Sequence, residues 1–156
     1  MKKFCLLMLM LVIGLSVCAC GEPNTSLKEG QLLYDCGATT AKDITKYEFI
    51  HKDYLYPDKP IPITDAADQA IFQHYTYDSD FPTTQLHEIL IFPRNQFTVT
   101  VNEKAFSFYL HEDGRLTMLP WGNTGICKTY QADEKHRITP ERLAEWILKY
   151  DLLKSE

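Results

Sequence analysis

The sequence predicts an α+β domain in which an antiparallel β-meander of about four to five strands packs against a C-terminal helix and one shorter helix. Apolar and polar residues alternate through residues 97–119, and this period of two is typical of a sheet with one buried face. A capped amphipathic helix follows near the end of the chain. Because a lone meander with one apolar face needs a second layer, we expect that helix to cover it.

The predicted meander begins with the strongly apolar segment Leu86–Phe92, which ends at Pro93. The strands after it are separated by the predicted turns Asn102-Glu103-Lys104 and Glu112-Asp113-Gly114. Asp-Gly between alternating apolar runs is a strong hairpin signal. The apolar positions of the alternation are Phe97, Val99, Val101, Phe106, Phe108, Leu110, Leu116 and Met118.

The C-terminal helix is marked by its first residues. Thr139 is a suitable N-cap, Pro140 suits the first helical position, and Glu141 complements the helix dipole. Helical spacing then predicts one apolar stripe that faces the sheet. The stripe consists of Leu143, Trp146, Ile147 and Tyr150, continued by Leu153 or Leu152.

Shorter elements precede the meander. The aromatic segment Tyr47–Tyr56 predicts one or two strands. The extended piece Ile61–Asp65 leads into a helix over Ala66–Tyr75, which Thr64 or Asp65 can cap.

The N-terminus has the pattern of an export signal. Met1-Lys2-Lys3 is positively charged, and Phe4–Val17 is almost wholly apolar. Val17, Ala19 and Cys20 then resemble the lipobox of bacterial lipoproteins, in which an aliphatic and a small residue precede an obligatory cysteine. Cys18 departs from the usual Ser, Ala or Thr. Lipidation at Cys18 is the alternative, but it would put the bulky Val17 just before the cleavage site, where a small residue is expected.

The resemblance implies three regions: a signal peptide over residues 1–19, a lipidated polar tether over residues 20–30, and a single domain over residues 31–156. A diacylglyceryl thioether on Cys20, with palmitate-type acyl chains, would hold the domain on the membrane outside the cytoplasm. An uncleaved membrane anchor is the alternative, although Phe4–Ala19 is shorter than the roughly 20 residues of a typical bilayer crossing.

A second resemblance comes from element order. A strand, an Ile-Thr-Asp turn, a helix and a meander follow one another as in small uncharacterised lipoproteins of Gram-positive bacteria, with Ile61, Ile63, Thr64, Asp65 and Ile71 carrying the likeness. It implies a surface location and no particular activity. The sequence leaves open whether the envelope is Gram-positive or Gram-negative.

Charge excludes some partners. The formal net charge is −5, and loss of Lys2 and Lys3 with the signal peptide lowers it to −7. A surface of that sign repels phosphate backbones and anionic headgroups, so we expect no nucleic-acid partner and no membrane binding beyond the lipid.

Two cysteines remain in the predicted domain, Cys36 and Cys127. An even pair in an exported domain permits a disulfide, which we expect here. Two buried free thiols are the alternative.

The sequence contains no recognisable catalytic or metal-binding motif. Its histidines, at positions 51, 74, 87, 111 and 136, are scattered outside the usual ligand spacings. Asp78-Ser79-Asp80 is expected to be a solvated acidic loop that ends at Pro82. We therefore predict no catalytic residue, metal or cofactor.

Aromatic residues offer the one candidate binding surface. Tyr54, Tyr56 and Trp121, if exposed together, would suit a carbohydrate or protein partner, whereas core packing is the alternative. Tyr47, Tyr75 and Tyr77 belong to the same aromatic set. The sequence thus favours a membrane-tethered, non-enzymatic interaction or envelope-associated domain; the alternative is a small cell-envelope hydrolase whose site has no sequence signature.

Overall fold

The computed structural model describes residues 26–51, 60–82, 95–120 and 126–151. Within them, seven strands form one antiparallel sheet in the order β2-β1-β4-β5-β6-β7-β3. The strands are β1 (Ile44–His51), β2 (Ile61–Pro62), β3 (Thr76–Pro82), β4 (Asn95–Val101), β5 (Lys104–Leu110), β6 (Leu116–Met118) and β7 (Ile126–Gln131). The helices are α1 (Leu32–Asp35), α2 (Ala66–Ala70) and α3 (Pro140–Asp151), with 3-10 turns at Ala41–Asp43 and Ile71–His74. The α+β prediction is confirmed.

The meander consists of β4 to β7, which pair in sequence order. Phe97 lies opposite Phe108, and Leu116 lies opposite Tyr130, so the predicted apolar positions share one face. The β4–β5 turn puts Asn102 and Glu103 at positive φ, as tight hairpin turns require. The predicted strand Leu86–Phe92 lies outside the described residues.

The acidic segment around Asp78-Ser79-Asp80 corrects one prediction. It is not a loop but part of β3, which pairs with β7 and carries a register shift between Tyr77 and Ser79. Aspartate is unfavourable in strands in general. Here β3 lies at an edge of the sheet, where polar side chains still reach water.

Helix α3 covers the apolar face of the sheet, as predicted. Trp146 is buried and packs edge-on against Phe97 of β4, with ring centroids 6.1 Å apart. Leu143 and Tyr150 of the same stripe are also buried. The hydroxyl of Thr139 accepts a hydrogen bond from the backbone N–H of Arg142, which confirms the expected N-cap.

The shorter helix α2 also begins where expected. The carboxylate of Asp65 accepts the backbone N–H of Ala67 at 2.8 Å. The helix then tightens into the 3-10 turn Ile71–His74, which buries Phe72 in the centre of the core.

The segment before α1 lies against the domain. Ser26 forms a β-bridge with Thr40, and Gln31 forms one with Thr76. Leu27 is half-buried against the core, so the predicted tether is attached to the domain over its last five residues, 26–30. Across the described part of the chain, no helix combines the length and apolar character that a bilayer crossing requires.

Candidate functional site

Only some of the predicted site residues belong to the described part of the chain. Cys20, Tyr54, Tyr56 and Trp121 all lie outside the described residues. The other tyrosines of the aromatic set separate: Tyr47 and Tyr75 are core residues, whereas Tyr77 is 44% exposed. For Tyr47 and Tyr75, core packing is therefore the correct alternative.

The predicted disulfide is not formed. Cys36 and Cys127 are both free, buried thiols. Cys36 belongs to the main core, on the face of the sheet to which Tyr130 of β7 also points. Cys127 is an odd number of residues from Tyr130 on the same strand, so its side chain points to the opposite face. The sheet itself separates the two sulfur atoms.

The structure instead brings together three donor residues that are far apart in the sequence. The imidazole rings of His74 and His136 stack in parallel, with centroids 3.5 Å apart and planes inclined by 4°. The Nδ1 atom of His136 lies 2.8 Å from each carboxylate oxygen of Asp133. One potential ligand atom from each residue lies within 4.8 Å of the other two. We refer to His74, Asp133 and His136 as the His–Asp–His cluster.

The backbone on both sides of this cluster is fixed by Tyr75. Its buried hydroxyl donates a hydrogen bond to the carbonyl of Gly114 at 2.8 Å and accepts one from the backbone N–H of Ile138 at 3.0 Å. Tyr75 follows His74, and Ile138 lies two residues after His136. The hydroxyl thus joins the two segments that carry the histidines.

Hydrogen bonds from Arg142 hold the turn that contains Asp133 and His136. The guanidinium of Arg142, on α3, donates to the carbonyl of Lys135 at 2.9 Å and to that of Arg137 at 2.7 Å. The backbone N–H groups of His136 and Arg137 both donate to the carbonyl of Asp133. The donor side chains therefore project from an anchored turn.

Electrostatics keep the cluster suited to binding a cation. The pKa of His74 is lowered, chiefly by the partial loss of solvent around its ring and also by electrostatic repulsion from His136 and Lys135, although Asp133 opposes the effect. The hydrogen bond from His136 lowers the pKa of Asp133. At neutral pH the cluster consequently offers a neutral imidazole at His74 and a carboxylate at Asp133. His74 and Asp133 are exposed and His136 is half-buried, so solvent reaches the donors.

A chain of polar side chains lies on the face of the sheet that points away from the main core. His111 Nε2 is 2.7 Å from the Thr117 hydroxyl oxygen, which in turn is 2.8 Å from that of Thr129. Both threonines are 1% exposed. The aromatic rings of Phe81 and Tyr109 pack edge-on against His111. This chain resembles a base beside a hydroxyl, but the hydroxyl is inaccessible.

A third cluster joins α1 to β7. One carboxylate oxygen of Asp35 accepts hydrogen bonds from the Tyr130 hydroxyl at 2.7 Å and from Lys128 at 3.0 Å. This contact raises the pKa of Tyr130, after the larger effect of burial. Its donors and acceptors satisfy one another, so we interpret it as structural.

Sequence reasoning missed the His–Asp–His cluster because its members come from two distant segments. The local signal was Asp133 three residues before His136, a spacing that one turn can bring together. Nothing in the sequence indicates that His74 joins them.

Comparison of the chain with protein-family models, curated proteins and solved structures gives no match.

Proposed function

We propose that the protein is a lipid-tethered, extracytoplasmic binding domain without enzymatic activity. The observation that carries the proposal is the order of the N-terminal segments: a charged start, an apolar run, Val17-Cys18-Ala19 and then Cys20. Lipid on Cys20 is the anchor, and the domain faces away from the cytoplasm.

The attachment of Ser26 to the domain supports a position close to the membrane. Six residue steps separate Cys20 from Ser26, which spans at most roughly 20 Å when fully extended. The β-bridge between Ser26 and Thr40 prevents the rest of the predicted tether from adding to this reach. The domain would therefore act on partners at the membrane surface rather than far from it.

Two buried groups, the Thr117 hydroxyl and the Cys36 thiol, disfavour hydrolysis through a covalent intermediate. Hydrolysis through a covalent intermediate needs an activated nucleophile that a substrate can reach. The hydroxyl of Thr117 lies beside His111 but is buried and shared with Thr129. Burial raises the pKa of the Cys36 thiol to about 12, so this cysteine is a poor nucleophile.

Partner chemistry follows from charge. The mature chain would carry a net charge of −7, which disfavours nucleic acid and anionic lipid surfaces. The proposed partner is a protein or carbohydrate of the cell envelope. Tyr54, Tyr56 and Trp121 are proposed to contribute aromatic contacts to it.

Metabolic labelling with an alkyne-bearing fatty acid tests the anchor. The wild-type protein should incorporate the label and partition with membranes, whereas Cys20→Ser should lose both properties. Cys18→Ser is the matched control, because it removes the neighbouring thiol and should leave labelling intact. Labelling that persists in Cys20→Ser but disappears in Cys18→Ser would move the site, and an unlabelled wild-type protein would reject the proposal.

A further inference from the structure

We infer that His74, Asp133 and His136 form a binding site for one divalent transition-metal ion, with Zn²⁺ as the best-matched ion. The inference goes beyond the proposed function, because it rests on the folded domain and not on the lipid anchor. Two imidazoles and one carboxylate are a ligand set found in zinc sites of proteins. Three protein ligands leave a fourth position for water or for a group from a partner.

The choice of metal follows from the donor atoms. Imidazole nitrogen suits zinc, copper and nickel, whereas calcium and magnesium prefer sites made of oxygen atoms. The cluster supplies one carboxylate, from Asp133, beside two rings. Magnesium and calcium are thus poorly matched to it.

The distances require the ligand side chains to rotate towards one another. Ligands bound at about 2.0–2.2 Å in tetrahedral geometry lie about 3.3–3.6 Å from one another. The present ligand atoms lie within 4.8 Å of each other, so rotation of the rings and the carboxylate closes the site. His74 and Asp133 are exposed, which leaves room for that rotation.

Hydrogen bonds hold the backbone around the cluster in place, which favours binding. The Tyr75 hydroxyl holds the chain on both sides of the cluster, and Arg142 holds the turn that carries Asp133 and His136. Preorganised ligands lose less conformational entropy when an ion binds. Metal binding would replace the contact between Asp133 and His136 and would separate the stacked rings.

Protons compete with metal binding, and the charged residues of the turn have opposite effects on it. A histidine must be neutral to bind, so acid should release the ion. Asp133 attracts the ion, whereas Lys135 in the same turn repels it. Glu134, also in that turn, is exposed and is not a member of the cluster.

Titration of the purified protein with zinc chloride tests the inference by calorimetry. One Zn²⁺ ion should bind per chain at neutral pH. His74→Ala, His136→Ala and Asp133→Asn should each raise the dissociation constant by at least about tenfold. Glu134→Gln is the matched control, since it removes the same charge as Asp133→Asn from the same turn and should change the constant by less than about threefold.

Cobalt substitution gives an independent readout. Co²⁺ in the wild-type protein should show the intense visible absorption of tetrahedral coordination, and His74→Ala should lose it. Thermal unfolding without metal checks that each variant is folded. Wild-type binding weaker than about 1 mM, or binding that the three cluster variants leave unchanged, would overturn the inference.

Discussion

Tyr75 and Ile138 are joined by a buried hydrogen bond in which the tyrosine hydroxyl accepts the backbone N–H of Ile138 at 3.0 Å. The same hydroxyl donates to the carbonyl of Gly114. One side chain therefore connects the end of the 3-10 turn Ile71–His74, the β5–β6 turn and the segment that leads into α3. Burial raises the pKa of Tyr75 to about 12, which keeps it protonated and able to donate.

Replacing Tyr75 with Phe should lower the free energy of unfolding by about 2–4 kcal/mol, because it leaves a buried N–H and a buried carbonyl without their partner. Urea denaturation measures the loss. Tyr77→Phe removes the same hydroxyl from a side chain that is 44% exposed and should cost less than about 1 kcal/mol. Equal losses in the two variants would contradict the structural role of Tyr75.

Trp146 should be the most sensitive position of α3. Its indole ring contacts Phe72 and Phe97, and only 3% of the residue is exposed. Trp146→Ala should cost about 3–5 kcal/mol of unfolding free energy. Leu148→Ala, on the exposed side of the same helix, should change it by less than about 0.5 kcal/mol. A loss below about 1 kcal/mol in Trp146→Ala would show that the helix does not cover the sheet.

Acid should destabilise the fold partly through His111. Its pKa is lowered, chiefly by burial and also by the charge of Arg115, although Asp113 opposes the effect. The unfolded chain therefore binds the proton more tightly than the folded one, so the stabilisation is present above about pH 6.5 and is lost as the pH falls below it. The pKa of His74 is also lowered in the folded protein, so its protonation should change the stability in the same direction.

His111→Gln tests this contribution, because glutamine can still hydrogen-bond Thr117 but does not titrate. Melting temperatures measured from about pH 7.5 to about pH 5 should fall less steeply in the variant than in the wild type. His74→Gln tests the corresponding contribution of His74 in the same way. An unchanged slope in His111→Gln would show that protonation of His111 is not coupled to folding.

The two cysteines should behave as inert free thiols. In the native state Cys36 and Cys127 are buried, and burial raises the pKa of both thiols. An alkylating reagent should label neither residue quickly in the native protein, but should label both after denaturation without a reductant. Intact mass spectrometry counts the labels. Labelling that needs a reductant would show that a disulfide exists.

The elements that the sequence predicted well are those with local signals. The alternation through Phe97 and Phe108 and the capped helix after Thr139 are visible within short windows, and each forms as expected. Strand β3 was missed because Asp78 and Asp80 disfavour a strand locally, and pairing with β7 overrides that preference.

The candidate site could not be predicted for a related reason. His74 meets Asp133 and His136 only because Tyr75 and α3 bring the two segments together. The disulfide prediction likewise relied on the number of cysteines, which does not show the face of the sheet on which each one lies. Cys36 and Cys127 lie on opposite faces of the sheet because of the register of β7, which depends on the strands beside it.

The acidic character of β3 bears on self-association. An exposed strand edge is a template for pairing with another chain. If the proposed lipid anchor holds the molecules in one membrane plane, they would meet at high local concentration. The β3 edge combines aspartates, a register shift and a terminal proline at Pro82, all of which hinder the addition of a further strand. Like charges would also make two such edges repel each other. The β3 edge should therefore not join neighbouring copies of this protein into aggregates.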